Sequence, residues 1–138
     1  MSVYDAKARS QIADLKEIID AKAALSLWEA AINSKWEGKS VWVHGDLASG
    51  NILIKDEKLS AVIDFGGMGC GDPASDLIIA WTFFFGESRR LFKEHVEIDD
   101  DTWIRARGWA LWKATYELCQ TKNEKYKRTI EDVLKEIF

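Results

Sequence analysis

The apolar residues of this chain change spacing twice, and that change limits the folds open to it. From residue 3 to about 34 they fall at Ile12, Leu15, Ile18 and Ile19, then at Ala23, Leu25, Leu27, Trp28 and Ile32. Steps of three and four place them on one face of one or two amphipathic helices, with no proline to interrupt. Past Asn33 and Gly38 the pattern breaks into short apolar runs, Val41 to Val43, Ile52 to Ile54 and Leu59 to Ile63, separated by turn-forming residues. Small strands read this way, with Lys55-Asp56-Glu57-Lys58 as a hairpin turn. Helical spacing returns from Pro73 through Leu77, Ile78, Trp81 and Phe84, then through Trp103 to Leu118 and Ile130 to Phe138. The expected architecture is therefore α+β and mostly helical, a single unit in which a compact β insertion separates two sets of helices.

Composition excludes several classes of function. With 138 residues, 47% of them hydrophobic, the chain can bury a real core. Its net charge is −4 and its basic residues are scattered among acidic ones, so it lacks the electrostatic footprint of a nucleic-acid binder. No stretch approaches the roughly 18 uncharged apolar residues of a membrane span. Cys70 and Cys119 lie far apart without metal-type spacing and form no disulfide framework, which fits a reducing cytoplasm. A soluble, non-exported protein acting on small molecules or proteins is expected.

The chemistry concentrates in VWVHGDLASGN, residues 41 to 51, and in Ile63-Asp64-Phe65-Gly66 beyond the hairpin. Glycine, aspartate, serine and asparagine are ordinary turn residues, so either segment alone could be a turn without duties. Taken together they offer more. An aspartate ending one strand, an asparagine five residues on at the start of the next, and an aspartate ending a third can converge at one edge of a small sheet. Asn51 and Asp64 are then suitable hard-oxygen ligands for Mg²⁺, which takes one or two protein oxygens and leaves the remainder to water and phosphate. Asp46 is left to orient or deprotonate an attacking hydroxyl. Protein kinases use this order of parts, a catalytic-loop Asp followed by Asn, then a DFG whose Asp takes the metal.

HGDLASGNILI and VIDFGGMGCGDPASDL together resemble the aminoglycoside phosphotransferase superfamily, small-molecule kinases of protein-kinase-like fold. The likeness is close over about residues 41 to 80. It implies Asp46 as catalytic base, Asn51 and Asp64 as Mg²⁺ ligands, and ATP as phosphoryl donor. Gly45 stands where protein kinases usually carry arginine, and few residues separate Asp64-Phe65-Gly66 from Gly71-Asp72-Pro73. That leaves no room for the long activation loop that docks protein substrates, so a small hydroxylated acceptor is favoured. Asp72 followed by Pro73 makes a good helix start, an N-cap with proline at the first helical position. Asp76 either points outward or, by the resemblance, braces the catalytic loop through backbone amides. Bracing would matter, because a base misplaced by about 1 Å can lose about 10²-fold in rate. His44 could act in acid-base chemistry, but in this motif it reads as a ring anchoring the loop against the core.

Other residues admit two readings each. Trp109, Trp112 and Tyr116 share a helical face, where core packing explains them better than ligand stacking. The acidic run Glu97, Asp99, Asp100 and Asp101 is more naturally a cap for the helix through Trp103 than a site for a cationic acceptor; without the latter, a neutral or apolar acceptor such as a macrolide stays open. Cys70 reads as a small apolar filler, and His95 as exposed. In some members of the resembled family the last residues line the substrate site, which for Phe138 is the weaker reading.

The Gly-rich loop, strand lysine and adenine hinge of the resembled enzymes have no counterpart here, since the first 40 residues hold a single glycine, Gly38, and read as helix. The expectation is a C-terminal lobe spanning residues 1 to 138, without the nucleotide-clamping N-terminal lobe and nearly inactive alone. Its partner would be a separate N-terminal lobe or a second copy, because the face left open should be partly apolar. A non-enzymatic dimerising or binding module derived from such a lobe is the rival reading.

Overall fold

The computed structural model describes residues 1–136 and is built around one long helix. Helix α5 (Asp100–Thr121) buries Ala106, Ala110, Leu111, Ala114 and Leu118, and also Arg105 and Arg107 on other sides. A helix covered nearly all round is a core element. Three helices cover it: α1 (Asp5–Asp14), α2 (Ala21–Asn33) and α6 (Glu124–Lys135). Ile12 and Leu15 from the α1 region, Trp28 from α2, and Ile130 and Val133 from α6 are fully buried in the common core.

Local chemistry sets the helix boundaries. Asp20 caps α2 by accepting from the Ala23 amide at 2.9 Å, and Asp99 caps α5 by accepting from the Thr102 amide at 2.7 Å. Asn123 caps α6 through the Lys125 amide at 3.0 Å. Such caps satisfy amides that have no partner within the helix, each worth about 1 kcal/mol. Trp28 places its indole N–H on Asp5 at 2.8 Å, which pins α2 to α1.

The strands form two separate two-stranded antiparallel sheets, not a single small sheet. Strand β1 (Val41–Val43) pairs with β4 (Gly69–Gly71), Val41 opposite Gly71 and Val43 opposite Gly69. Strands β2 (Ile52–Lys55) and β3 (Lys58–Val62) make a hairpin with a bulge between Leu53 and Ile54. Its two-residue turn, Asp56-Glu57, has both φ angles positive, at 51° and 60°, the geometry that matches strand twist. Strand β4 was illegible because Gly-Cys-Gly has no apolar alternation. Nor are the strands buried: Trp42 is 73% exposed, Leu59 65% and Ile54 58%.

Two further differences concern helices. The helix expected from Pro73 to Phe84 is a 3₁₀ turn (Pro73–Ser75), a run of turns and a short α3 (Ile79–Thr82). Asp72 caps the 3₁₀ turn by accepting from the Ala74 amide at 3.0 Å, with proline just inside. Helix α4 (Gly86–His95) was not expected, since its sequence is mostly charged and only Leu91 and Phe92 are apolar. Phe138 lies outside the described residues, and α6 ends at Lys135. Among the described residues no helix is long and apolar enough to cross a membrane.

The crossing of α5 over α2 depends on Gly108. A Cβ there would lie 2.3 Å from the Ala31 Cβ. Replacing Gly108 with alanine gains up to about 1 kcal/mol of helix propensity, but overpacking typically costs about 1–3 kcal/mol. Gly108→Ala should therefore lower the urea midpoint at unchanged m-value, and an equal or higher midpoint would contradict the close crossing.

Candidate active site

The segments carrying Asp46 and Asp64 are packed backbone to backbone. Gly45 has φ +82°, and a Cβ on it would lie 2.2 Å from the Gly67 carbonyl oxygen. A Cβ on Gly67 would meet the His44 carbonyl oxygen at 3.4 Å. At Gly45 glycine meets both demands, the left-handed φ and the close approach. Asn51 joins the same neighbourhood from a short 3₁₀ turn (Ser49–Asn51): its Nδ2 donates to the Asp46 carbonyl at 2.9 Å, and its own carbonyl accepts from the Ile63 amide at 2.9 Å. The segments that carry Asp46, Asn51 and Asp64 thus meet in one place.

His44 is buried beneath this site. Its Nδ1 accepts from the Asp46 amide at 3.3 Å, so the ring proton sits on Nε2, which donates to the Ile63 carbonyl at 2.9 Å. The ring packs on Phe65 with centroids 4.7 Å apart. It therefore spans both segments, with both nitrogens engaged by backbone. Asp76 holds the loop from below, its two carboxylate oxygens accepting from the His44 amide at 2.6 Å and the Gly45 amide at 2.9 Å. Asp72, four residues earlier, receives the buried guanidinium of Arg105 at 2.7 Å. Through these two carboxylates the loop is tied to the 3₁₀ turn and on to α5.

Lys113, also on α5, was missed. Its Nζ lies 2.9 Å from Asp46 Oδ1, although 67 residues separate the pair in sequence. Hydrogen bonding and charge from Lys113 hold the Asp46 carboxyl below its ordinary pKa. Lys113 is the sole charge in the helix between Arg107 and Glu117. That isolation in an apolar run was the available signal, but it could not name the partner.

Asp64 stands in the left-handed region, at φ 61° and ψ 65°. A non-glycine residue there carries strain of about 1 kcal/mol or more that the surrounding contacts must hold. Its carboxylate receives no hydrogen bond from the described residues, and neither does the Asn51 Oδ1. One carboxylate and one amide oxygen are thus open on segments that meet the Asp46 loop. Among the described residues no three His, Cys, Asp or Glu side chains cluster to cage a metal. This donor set suits a hard cation whose remaining ligands are phosphate and water.

Beside Asp46 lies a cavity of about 520 Å³, walled by Tyr4, Trp109, Trp112, Tyr116 and Glu117 together with Lys113. Core packing alone therefore does not account for the aromatic face of α5, whose rings are half-buried and line this opening. The acidic run is elsewhere. Asp100 precedes Lys113 by 13 residues on one straight helix, about 20 Å at 1.5 Å per residue. It therefore cannot flank an acceptor at Asp46. Cys70 is exposed on β4 and is not a buried filler, while His95 is exposed on α4.

The fold is that of a fragment of a kinase-like phosphotransferase. A sequence profile of the phosphotransferase enzyme family matches residues 3–113, and the chain belongs to that family. Among solved structures, a macrolide 2'-phosphotransferase type I superposes with a TM-score of 0.54 at 22% identity, over 96% of this chain and 48% of its own. The apoenzyme of macrolide 2'-phosphotransferase MphH from Brachybacterium faecium gives 0.50 at 21%, over 96% and 48%. The chain spans about half the length of these structures. No curated protein sequence matches it.

Two measurements test this geometry. Asp76→Ala would strand the amide of buried His44, at about 1–3 kcal/mol, and release the exposed Gly45 amide to water; amide exchange should quicken at both while α5 stays protected. Unchanged exchange would show that the carboxylate does not hold the loop. In Lys113→Met the Asp46 carboxyl should titrate at higher pH, followed by NMR. Because the folded carboxyl is depressed, the pair stabilises the protein above the usual carboxylate range and the benefit fades as pH falls through the folded pKa. For so exposed a pair the loss at neutral pH should stay below about 1 kcal/mol.

Proposed function

We propose that this chain carries the catalytic half of an ATP- and Mg²⁺-dependent phosphotransferase acting on a hydroxyl of a small molecule. The observation that supports it most is the mutual packing of the Asp46 and Asp64 segments with Asn51 bridging them. Phosphoryl transfer asks little covalent work of a protein and depends on positioning and charge neutralisation. In this reading Asp46 orients the acceptor hydroxyl and receives its proton. The acceptor oxygen bonds to the γ-phosphorus as the bond from phosphorus to the ADP oxygen breaks. Asn51 and Asp64 would hold Mg²⁺, which when bound would neutralise charge on the phosphates. His44, Asp72 and Asp76 keep the loop in register for this chemistry.

In this reading residues 1–138 form one lobe, and a nucleotide-clamping lobe completes the enzyme. Trp42, Ile54, Leu59, Phe65 and Met68 are all more than half exposed around the two sheets. Such an apolar surface suits either that second lobe or another copy of the chain. The same surface favours the alternative, a dimerising module without activity. The surface alone does not separate these readings, whereas intact oxygen donors at 46, 51 and 64 favour the enzyme. A cytoplasmic setting fits two unpaired cysteines, Cys70 and Cys119.

Mn²⁺ provides a test that does not depend on turnover. Titrated with ATP, it should broaden the NMR signals of Asn51 and of residues 64–66 first, and Asp64→Ala should remove that selectivity. Uniform broadening across the acidic surface would reject the metal assignment. In a protein completed by a nucleotide-clamping lobe, Asp46→Asn should lower kcat by at least about 10²-fold with little change in the KM for ATP. An unaltered kcat would reject Asp46 as the base.

A further inference from the structure

The two loops that meet at Asp46 are rich in carboxylates and carry no lysine or arginine of their own. From Val41 to Ser88 the only lysines are Lys55 and Lys58, both flanking the hairpin turn, and there is no arginine, yet the loops hold Asp46, Asp64, Asp72 and Asp76. Asp72 is taken by Arg105, and Asp76 by two backbone amides. Among the described residues one ammonium or guanidinium pairs with Asp46 or Asp64, and α5 supplies it: Lys113 Nζ lies 2.9 Å from Asp46 Oδ1. This pair is open to ligands, with 31% of the Lys113 side chain and 55% of that of Asp46 exposed. Lys113 also stands between two openings. One is the cavity beside Asp46, and the other, of about 250 Å³, includes in its wall Ala48 and Ser49, the loop residues that lead from Asp46 toward Asn51. An ammonium on a flexible four-carbon stem can cross from one to the other while α5 stays still.

Resting on the reading of Asp46 as the transfer site, we propose that Lys113 is a further catalytic residue: its ammonium passes from Asp46 to the phosphoryl group during transfer, the cation that neither loop supplies. The charges involved give the reason. The bond from the acceptor oxygen to the γ-phosphorus forms as the bond from phosphorus to the ADP oxygen breaks, and the hydroxyl proton passes to Asp46. The electron pair of the broken bond leaves with ADP. The transferred group therefore keeps its two negative charges and arrives beside an Asp46 that has become neutral. At that moment Lys113 loses a carboxylate partner and gains a dianion within reach of the same side chain. Contacts of an ammonium with phosphate oxygens are among the stronger hydrogen bonds a protein makes. A cation already in place costs no reorganisation as the phosphoryl arrives, whereas without it a dianion would approach an acidic loop uncompensated.

Inorganic phosphate tests this on the 138-residue chain without turnover, because Asp46→Asn reproduces the neutral side chain that Asp46 becomes after transfer. In Asp46→Asn, phosphate should shift the amide signals of residues 48–50 and bind at least about fivefold more tightly than to the parent chain. Adding Lys113→Met should remove that gain, and adding Lys113→Arg should keep most of it. Neither change at 113 threatens the fold, since so exposed an ion pair contributes little stability. A gain that persists in Asp46→Asn/Lys113→Met would come from relieved repulsion alone and would overturn the proposal. Absence of phosphate binding at the loop of Asp46→Asn at high millimolar concentration would overturn it too. In a protein completed by a nucleotide-clamping lobe, Lys113→Met should lower kcat at least about tenfold with little change in the KM for ATP, and Lys113→Arg should recover part of the loss. An unaltered kcat in Lys113→Met beside a strongly reduced one in Asp46→Asn would remove Lys113 from the reaction and leave the reading of Asp46 standing. An unaltered kcat in Asp46→Asn would instead remove that reading, and this role of Lys113 with it.

Discussion

A charge buried inside the helical body organises the site. Arg105 is 3% exposed, and its guanidinium is shared among Asp72 at 2.7 Å, Ser34 Oγ at 2.8 Å and Thr102 Oγ1 at 2.8 Å. A guanidinium taken out of water is tolerable only when its donors are matched, so Asp72 is not free to move. Asp72 starts the 3₁₀ turn, and that turn delivers Asp76 to the His44 and Gly45 amides. Eight residues further along α5, Lys113 reaches the other end of the same loop at Asp46. One rigid helix therefore grips the loop at two points, through four charged side chains. Helical rise places those two grips about 12 Å apart, close to what a short strand and its following turn can span.

Between those grips the loop is shaped by backbone rather than by side chains. The 2.2 Å approach that a Gly45 Cβ would make to Gly67 means the two segments can pack only with hydrogen at that position. Their contact also explains why Asp64 can stay left-handed. Its neighbours on both sides are fixed, Ile63 by the Asn51 carbonyl and by His44 Nε2, and Phe65 by the imidazole face. The strain at Asp64 is thus held by the same contacts that bring it beside Asp46. A carboxylate aimed by a strained backbone needs fewer side-chain partners, which leaves its oxygens open for a cation.

Much of this was legible before any coordinates, and the reason is local. The mostly helical α+β class follows from apolar spacing, and the hairpin from two apolar runs around a polar turn. The residues at the loop contact fall within two short segments, so reading along the chain could group them. What escaped was whatever depends on long-range partners. Strand β4 is Gly-Cys-Gly and becomes a strand only because β1 offers it a ladder. Lys113 and Arg105 look like ordinary helix residues until α5 is laid beside the loop. Exposure of the strands was also illegible, because β-branched runs signal a pleated surface without saying which side is covered. The aromatic face of α5 reads as core in the sequence because helical spacing reports a shared face and not what that face meets.

The two exposed surfaces differ in a way that separates their roles. Around the sheets, apolar side chains stand singly on a bulged hairpin and short strands, where Trp42, Leu59 and Ile54 are the most exposed. A surface of that kind is completed by a large partner, since only an extended interface gathers scattered contacts into useful burial. Along α5 the aromatic rings are half-buried, mutually packed and rooted in the most protected helix. A surface of this second kind is complete without a partner and suits a small molecule, because its shape does not wait on binding. The loop that carries Asp46 lies between them and turns Asp46 toward the rings. In the proposed reaction a phosphoryl donor would arrive from the sheet side and a hydroxyl would be presented from the ring side.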